Sequence, residues 1–255
     1  MSKKPLRYFS FNILFSALLF FCSSALFTGC VPRVAPPPMY RDMSLSLDEA
    51  IRIAGRDIKT LKAVAGINIE ENNKSYSYVE ASLLLKNPGW LSMRLYKFGM
   101  LTGSFLFKDG VVHAASGKGI NKFREAGEEL YYSIFWWEGL ENAMMYRHET
   151  EYVIKTGNKE IRLDKSTLIP ESQVITINNN KIHILYEEPK NYAIDSIQSP
   201  ETEHSEQADF WYPSVLKIEI GTYRFTVRVE KLFVNPHLGE DEFMVPEQRE
   251  NVISN

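Results

Sequence analysis

Apolar and polar residues alternate along most of this chain, and the alternation is clearest from Val79 to Leu85 and from Leu91 to Leu95. Successive side chains of a β-strand point to opposite faces of a sheet, so a period of two predicts strands with one buried face. The turn residues Asn87-Pro88-Gly89 separate the two runs, as a hairpin requires. Fifteen Phe and thirteen Tyr residues fit a β structure with a bulky apolar interior.

Turn sequences continue to separate such runs as far as Val234, and one of them, Asp109-Gly110, is a strong signal for a tight hairpin. We count roughly eleven runs, and short turns are what joins antiparallel neighbours. A chain of 255 residues, 44% of them hydrophobic, is long enough for one sizeable domain. The sequence therefore predicts a mainly β fold with a few helices, built on an antiparallel meander.

Three segments interrupt the alternation. Ser46-Leu47-Asp48-Glu49 matches a capping box and predicts a helix whose apolar stripe extends to Leu61. The segment from Gly127 to Arg147 is apolar without alternation, which predicts one or two short helices. Residues Ser199 to Asp209 are polar and acidic, which predicts a solvated loop.

The first thirty residues have the organisation of an export signal. Three positive charges precede an apolar run from Phe9 to Phe27, and Thr28-Gly29 then precedes Cys30. This order is typical of a secretory signal peptide, although an uncleaved membrane anchor is an alternative, since about 20 apolar residues cross a bilayer. We assign residues 1–29 to a signal peptide, 30–44 to the cysteine and a Pro-rich tether, 45–246 to the folded domain and 247–255 to a polar C-terminal tail.

The segment Leu26-Phe27-Thr28-Gly29-Cys30 resembles the lipobox of bacterial lipoproteins. The resemblance implies that Cys30 receives a diacylglycerol, that cleavage precedes it, and that its new amino group is acylated. Phe27 departs from the family pattern, in which Leu is commonest at that position. Val31, in place of Asp after the cysteine, implies delivery to the outer membrane and a lipid anchor on its periplasmic face.

The stretch from Leu83 to Arg94, which contains Lys86-Asn87-Pro88, and the stretch from Gly103 to Gly110 together resemble a run of strands and turns in the lipoprotein-localisation (LolA/LolB) superfamily. Phe243-Met244-Val245-Pro246 is similar to its closing Phe-x-x-Pro. The resemblance implies an incomplete barrel of about eleven antiparallel strands, with an N-terminal helix, a helical lid and a hydrophobic cavity. It also implies a membrane-anchored receptor or chaperone that takes acylated lipoproteins or lipid, with a soluble periplasmic carrier as a possible partner.

Two groups of apolar residues are the candidate functional sites. The first is a candidate lid over the cavity, or else part of a filled core, and comprises Phe135, Trp136, Trp137, Met144 and Met145. Met and aromatic side chains repack readily around irregular apolar guests. The second lies where a polar turn is expected and is predicted to touch membrane or acyl chains, or else to fold back on the core: Phe98, Met100 and Leu101.

Sequence motifs for catalysis are missing. The five His residues have no metal-binding spacing, and there is no Gly-x-Ser-x-Gly elbow or nucleotide-binding glycine loop. Neither an enzyme nor a cofactor is therefore predicted. The 29 basic residues against 32 acidic ones provide no basic surface for nucleic acid. Two alternatives remain: a structural or assembly lipoprotein that binds partner proteins without carrying lipid, and an envelope hydrolase.

Overall fold

The computed structural model describes residues 39–40, 43–55, 58–116, 130–177, 180–193 and 209–244. The predicted signal peptide, Cys30, most of the tether, the acidic loop up to residue 208 and the polar tail lie outside the described residues. Residues Pro36–Asn255 form one compact unit, and this unit contains every described strand and helix.

Helix α1 spans Leu47–Ala54 and begins at the predicted capping box. The Ser46 side chain accepts a hydrogen bond from the Glu49 backbone N–H, and the Glu49 carboxylate accepts one from the Ser46 backbone N–H over 2.7 Å. The helix ends at Gly55, earlier than the predicted stripe to Leu61, because Leu61 already pairs with Val234 in a sheet. Within the described ranges, no helical segment is long and apolar enough to span a bilayer.

A 3₁₀ helix spans Glu240–Phe243. Twelve strands are present among the described residues, and their bounds are β1 Thr60–Glu71, β2 Lys74–Lys86, β3 Trp90–Lys97, β4 Met100–Lys108, β5 Val111–Ser116, β6 Met144–Arg147, β7 Glu151–Thr156, β8 Lys159–Asp164, β9 Pro170–Ile177, β10 Asn180–Ala193, β11 Asp209–Ile220 and β12 Tyr223–Val234. They build one antiparallel sheet in the order β5-β4-β3-β2-β1-β12-β11-β10-β9-β8-β7-β6. Among the described strands, β5 and β6 are the two open edges.

The predicted antiparallel fold is confirmed, with one strand more than the roughly eleven that were expected. The additional strand is β6, which pairs with β7 from Met144 opposite Lys155 to Arg147 opposite Tyr152. The prediction of helix is therefore wrong for Met144–Arg147, because pairing with a distant strand overrides a local apolar pattern. Helical backbone is present over residues 130–134.

The sheet curls around its inner face. Met93 on β3 and Pro170 on β9 line the same small cavity, although six strand positions separate β3 from β9 in the sheet order. In a flat sheet, six steps of about 4.8 Å would hold these strands about 29 Å apart. Only a curled sheet brings both residues to one cavity, and the open edges make it an incomplete barrel.

Three apolar clusters stabilise the curled sheet. The largest joins the inner faces of the central strands to residues 130–135. The second joins α1 and the segment around Trp136 to β7 and β8. The third lies on the outer face, where Leu238 and Phe243, beyond the last strand, cover Leu84 and Leu106.

Cross-strand ion pairs occupy the outer face near β12 and β11. Arg224 contacts Glu219 over 2.8 Å and Glu70 over 3.6 Å, and Lys217 contacts Glu187 over 2.6 Å. These side chains are partly exposed, so each pair contributes at most about 1 kcal/mol to stability. The outer face of these strands is therefore charged, whereas the largest apolar cluster lies on the inner face.

Candidate binding cavity

An aromatic segment over residues 130–137 lies across the inner face of the sheet. Tyr131 is fully buried. Its ring centroid lies 5.1 Å from that of Phe135 and 6.3 Å from that of Phe107 on β4. Trp137 continues the aromatic stack, with its centroid 5.5 Å from Phe135. Because aromatic rings bury large apolar areas and pack in preferred geometries, this segment is held firmly against the sheet.

Hydrogen bonds hold the aromatic segment at two points, through Glu138 and through Ser133. The Tyr131 hydroxyl donates to the Glu138 carboxylate over 2.7 Å, and the Asn87 side-chain amide donates to the same carboxylate. The Tyr186 hydroxyl, on β10, lies 2.8 Å from the Ser133 carbonyl oxygen. The segment is therefore tied to the β2–β3 turn on one side and to β10 on the other.

Three ionisable groups of this network have raised pKa values, and burial is the main cause for the first, the Tyr131 hydroxyl. Burial raises the pKa of the Glu138 carboxyl above its usual value, and the hydrogen bond from Tyr131 opposes that rise. Burial also raises the pKa of the Tyr186 hydroxyl. Desolvation disfavours the charged form of each group, so the Tyr186 hydroxyl stays neutral and able to donate.

A cavity of about 100 Å³ lies between the aromatic segment and the sheet. The segment contributes Leu130, Ser133, Ile134, Trp136 and Trp137, and the sheet contributes mainly aliphatic side chains such as Ala63, Leu83, Met93, Leu216 and Val229. The few polar groups, including the hydroxyls of Ser133 and Tyr186, are engaged in hydrogen bonds with protein atoms. The interior therefore favours an apolar guest over water.

The size of the cavity limits what fits without movement. Engineered apolar cavities of about 150 Å³ accept benzene, so about 100 Å³ accommodates only a short part of an acyl chain. A complete chain requires that the aromatic segment shift away from the sheet. The segment's ties through Glu138 and Tyr186 then decide how easily the cavity enlarges.

A second, more open groove of about 1120 Å³ adjoins the cavity. It runs between α1, the β2–β3 turn and residues 137–141, and its lining is mixed: Arg52, Asn87, Asp109, Tyr132, Glu138 and Glu141 are among the polar or aromatic residues. Among the described residues, Trp137 is the one that lines both the cavity and the groove.

The structure brings together only part of the predicted lid. Trp136 and Trp137 line the cavity, and the buried Phe135 packs behind them without lining it. Met144 and Met145 lie on β6 rather than on a helix and do not line the cavity. Met145 packs in the second cluster, and Met144 is 60% exposed. The structure therefore places two of the five predicted residues, Trp136 and Trp137, at the cavity and puts Met144 and Met145 on a strand instead of a helix. The role of the Trp pair as a lid stays a prediction.

The apolar β3–β4 connection is exposed. Phe98 is 89% exposed, Met100 65% and Leu101 49%, so the loop does not fold back on the core. The turn is tighter than predicted, since Phe98 and Gly99 alone separate β3 from β4. Both have positive φ, 52° and 75°, a geometry for which Asn and Gly are the preferred residues in hairpin turns.

Sequence reasoning missed several residues of the cavity. Phe210, Trp211 and Tyr212 at the start of β11, together with Tyr186 on β10, line it. The consecutive aromatic residues 210–212 are a usable sequence signal, because aromatic residues are enriched in strands. Glu138 carried no sequence signal, because its role depends on a turn fifty-one positions earlier in the chain.

The described residues do not form a metal-binding site. No group of three or more His, Cys, Asp or Glu residues there could hold a metal ion. Ion pairs of the described strands, such as Arg162 with Glu151 and Arg228 with Glu188, join a Lys or Arg to a Glu. The apolar cavity beneath the aromatic segment is the candidate site.

The architecture defines a class of β-rich cavity protein, in which an open antiparallel sheet curls around an apolar interior under a short helical segment. This is the fold of the LolA superfamily, so the resemblance predicted from the sequence is confirmed at the level of the fold. A LolA superfamily protein from Nitrosomonas europaea matches with a TM-score of 0.50 and 9% identity, over 80% of this chain and 100% of that chain.

Two other solved structures are less similar. A candidate outer membrane lipoprotein-sorting protein domain from Vibrio parahaemolyticus has a TM-score of 0.46 and 12% identity, over 82% of this chain and 100% of its own. A DUF1329 family protein from Desulfovibrio piger has a TM-score of 0.41 and 9% identity, over 78% of this chain and 95% of its own. Neither a protein-family model nor a curated protein sequence matches this chain.

Proposed function

We propose that this protein is a lipid-anchored envelope lipoprotein that holds acyl chains in its apolar cavity and acts as a receptor or chaperone in lipoprotein localisation to the outer membrane. The observation that carries the proposal is the apolar cavity beneath a hydrogen-bonded aromatic segment. Acyl chains gain free energy on leaving water for such an interior. The LolA fold and the lipobox ending at Cys30 support the same function.

Binding of an apolar guest is the first test. The unit Pro36–Asn255 should bind a neutral, polarity-sensitive fluorescent probe and raise and blue-shift its emission, and native mass spectrometry should find co-purifying lipid. Ala63→Leu places three more carbon atoms in the cavity and should weaken probe binding without loss of stability, because filling a cavity is commonly neutral or stabilising. Val64→Leu, on the opposite face of the same strand, is the matched control.

A second candidate function is supported by the small size of the cavity. About 100 Å³ is too little for a complete acyl chain, as expected if the protein were a structural or assembly lipoprotein with a nearly filled core. In that case, the purified unit carries no lipid and the probe does not bind. Binding that Ala63→Leu abolishes and Val64→Leu preserves excludes this alternative.

The exposed β3–β4 turn is the proposed membrane contact. A Phe side chain at positive φ costs about 1 kcal/mol relative to Asn or Gly, and Phe98 is also almost fully in water. Neither the positive φ of Phe98 nor its exposure to water stabilises the fold. A contact between this side chain and a membrane would explain why an apolar residue occupies the turn. Phe98, Met100 and Leu101 supply an apolar surface that can enter the interfacial region of a bilayer.

Phe98→Asn tests the membrane contact without damaging the hairpin. Asn is favoured at this turn position, so the variant should be at least as stable as the parent and should bind less to anionic or neutral phospholipid vesicles in a flotation assay. Val111→Thr makes a polar substitution at another exposed apolar residue, beside the β4–β5 turn at the opposite end of β4, and should leave vesicle binding unchanged. Equal vesicle binding by all three proteins would remove the membrane role of the turn.

The lipid anchor is tested separately on the full chain. Cys30→Ser should abolish incorporation of labelled palmitate and release the protein from the membrane fraction, because acyl chains at this position supply the predicted attachment. Persistent membrane association of the substituted protein, with no label, would indicate an uncleaved anchor instead.

A further inference from the structure

The apolar cavity and the adjoining groove share one described lining residue, Trp137. Its indole ring packs edge-on against Phe135, 5.5 Å between centroids, and closely against Gly55 at the end of α1. A Cβ atom added to Gly55 would lie only 2.6 Å from Trp137 Cδ1. Trp137 is half-buried, with the apolar cavity on one side and the open groove on the other. A molecule that extends past this ring occupies both spaces.

The cavity is apolar and the groove is polar, as are the tail and the head of an amphiphile. The cavity is lined almost entirely by apolar side chains. The groove presents carboxylates at Glu138, Glu141 and Asp109 and a guanidinium at Arg52. An acyl tail is favoured in the first space and a charged, hydrated head in the second.

The groove has both acidic and basic side chains, and these charges limit which amphiphile head groups it can bind. Asp109 accepts a hydrogen bond from Trp90 Nε1 over 2.9 Å, and Glu138 accepts hydrogen bonds from Tyr131 and Asn87. Glu141 and Arg52 are both exposed to the groove. With Asp109 and Glu138 engaged by protein groups, a head with a single charge meets one favourable and one unfavourable partner at Glu141 and Arg52, whereas a head with both charges can satisfy both.

We propose that the cavity and the groove form one bipartite site for an amphiphile with a zwitterionic head, its tail beside Trp137 in the cavity and its cationic and anionic head groups near Glu141 and Arg52. This inference rests on the proposed function, because it requires that the cavity accept an acyl chain. It adds the chemical class of the ligand, a zwitterionic lipid, and the residues that select it.

The test compares amphiphiles with the same tail and different heads, each below its aggregation concentration. Dodecylphosphocholine, dodecylammonium and dodecanoate compete with the neutral fluorescent probe for the unit Pro36–Asn255, which contains all the described apolar clusters. Dodecylphosphocholine should bind more tightly than either singly charged amphiphile by about twofold to fivefold, the ratio that one exposed ion pair of up to about 1 kcal/mol supplies. Phosphocholine without a tail should not displace the probe.

Charge-removing variants identify the head site. Glu141→Gln and Arg52→Gln should each reduce the preference for dodecylphosphocholine to less than about twofold, while the affinity for the neutral probe stays the same. Both residues are exposed, so the variants should fold. Glu230→Gln and Arg94→Gln remove the same charges from the sheet away from the groove and should retain the preference.

The outcomes separate this inference from the proposed function. If the neutral probe binds but the three heads bind equally, or the control variants lose the preference as much as the groove variants do, the bipartite site is wrong and the acyl-binding function stands. If the neutral probe does not bind at all, both fail. Probe binding with a preference that depends on Glu141 and Arg52 supports both.

Discussion

The hydroxyl group of Tyr131 donates a hydrogen bond to the Glu138 carboxylate over 2.7 Å, and this contact closes the aromatic segment onto itself at the edge of the cavity. The same carboxylate accepts from Asn87 in the β2–β3 turn. A single acidic side chain therefore connects the segment that covers the cavity to the sheet that forms it.

Tyr131→Phe keeps the buried ring but removes the hydrogen bond to Glu138. Hydrogen bonds to a charged group contribute about 1.5–3 kcal/mol, so we expect the free energy of unfolding in urea to fall by about that amount or somewhat less. We also expect faster amide hydrogen exchange in the helical residues 130–134, since the segment loses one of its ties.

Tyr152→Phe is the matched control for that variant. Tyr152 is equally buried, and its hydroxyl donates to the Met43 carbonyl oxygen over 3.0 Å, so its removal leaves the hydrogen bonds of the aromatic segment intact. The control should lower global stability without selectively accelerating exchange over 130–134. Equal acceleration in both variants would mean that Tyr131 has no special role in holding the segment.

The pKa of Glu138 predicts a pH dependence of stability. Burial raises this pKa above its usual value of 4.5, so the folded protein binds the proton more tightly than the unfolded chain does. The resulting stabilisation is complete below the unfolded-state pKa and is lost as the pH rises through the folded-state pKa. Glu138→Gln should remove this loss, which we expect to see as a flatter stability profile above about pH 4.5 in urea titrations.

Glu160→Gln provides the control of opposite sign. Hydrogen bonds from Lys155 and Arg162 lower the pKa of the Glu160 carboxyl, so its contribution is present above the unfolded-state pKa and is lost as the pH falls. The Glu160 variant should therefore change the acidic limb of the profile and leave the limb above it intact. If Glu138→Gln alters only the acidic limb, the assignment of Glu138 is incorrect.

Tyr186→Phe tests the second tie of the aromatic segment. The Tyr186 hydroxyl is buried and lies 2.8 Å from the Ser133 carbonyl oxygen and 2.6 Å from the Gln173 side chain. Removing it leaves buried polar partners unsatisfied, so we expect a loss of about 1–3 kcal/mol of stability by chemical denaturation. Tyr96→Phe, on a half-buried outer-face ring, should change stability by less than about 0.5 kcal/mol.

Phe243→Ala tests whether the C-terminal segment stabilises the sheet from outside. Phe243 is 2% exposed, and its ring lies 5.3 Å from that of Trp90. We expect a loss of about 2–4 kcal/mol and a red shift of Trp fluorescence. Phe233→Ala, at a residue 44% exposed on β12, should have a much smaller effect. An equally small effect at Phe243 would show that the third cluster adds little to the fold.

Local patterns predicted the elements that depend on neighbouring residues. The alternation from Val79 to Leu85 corresponds to the buried face of β2, and Asp109-Gly110 forms the predicted tight turn, with φ of 52° and 77°. The capping box at Ser46 is present. In each case the determining interaction spans only a few positions of the chain, so the local sequence contains all the information required.

Contacts between residues distant in the chain determined the structural features that local sequence patterns did not predict. Met144 and Met145 are apolar in a segment without alternation, yet they form a strand because β7 offers an edge with which to pair. Whether Phe98 covers the core or faces water depends on how tightly β3 turns into β4. Both outcomes depend on backbone pairing that side-chain type alone does not specify.

The amino-acid sequence by itself determined the antiparallel strands, their turns, the capped helix and the resemblance to the LolA superfamily, because these depend on side-chain period and turn chemistry. Only the tertiary structure decided that the sheet curls, that Trp136 and Trp137 line a cavity of about 100 Å³, and that Glu138 ties its cover to a distant turn. A cavity is the volume left after packing, and its size depends on many distant side chains together, so no local pattern encodes it.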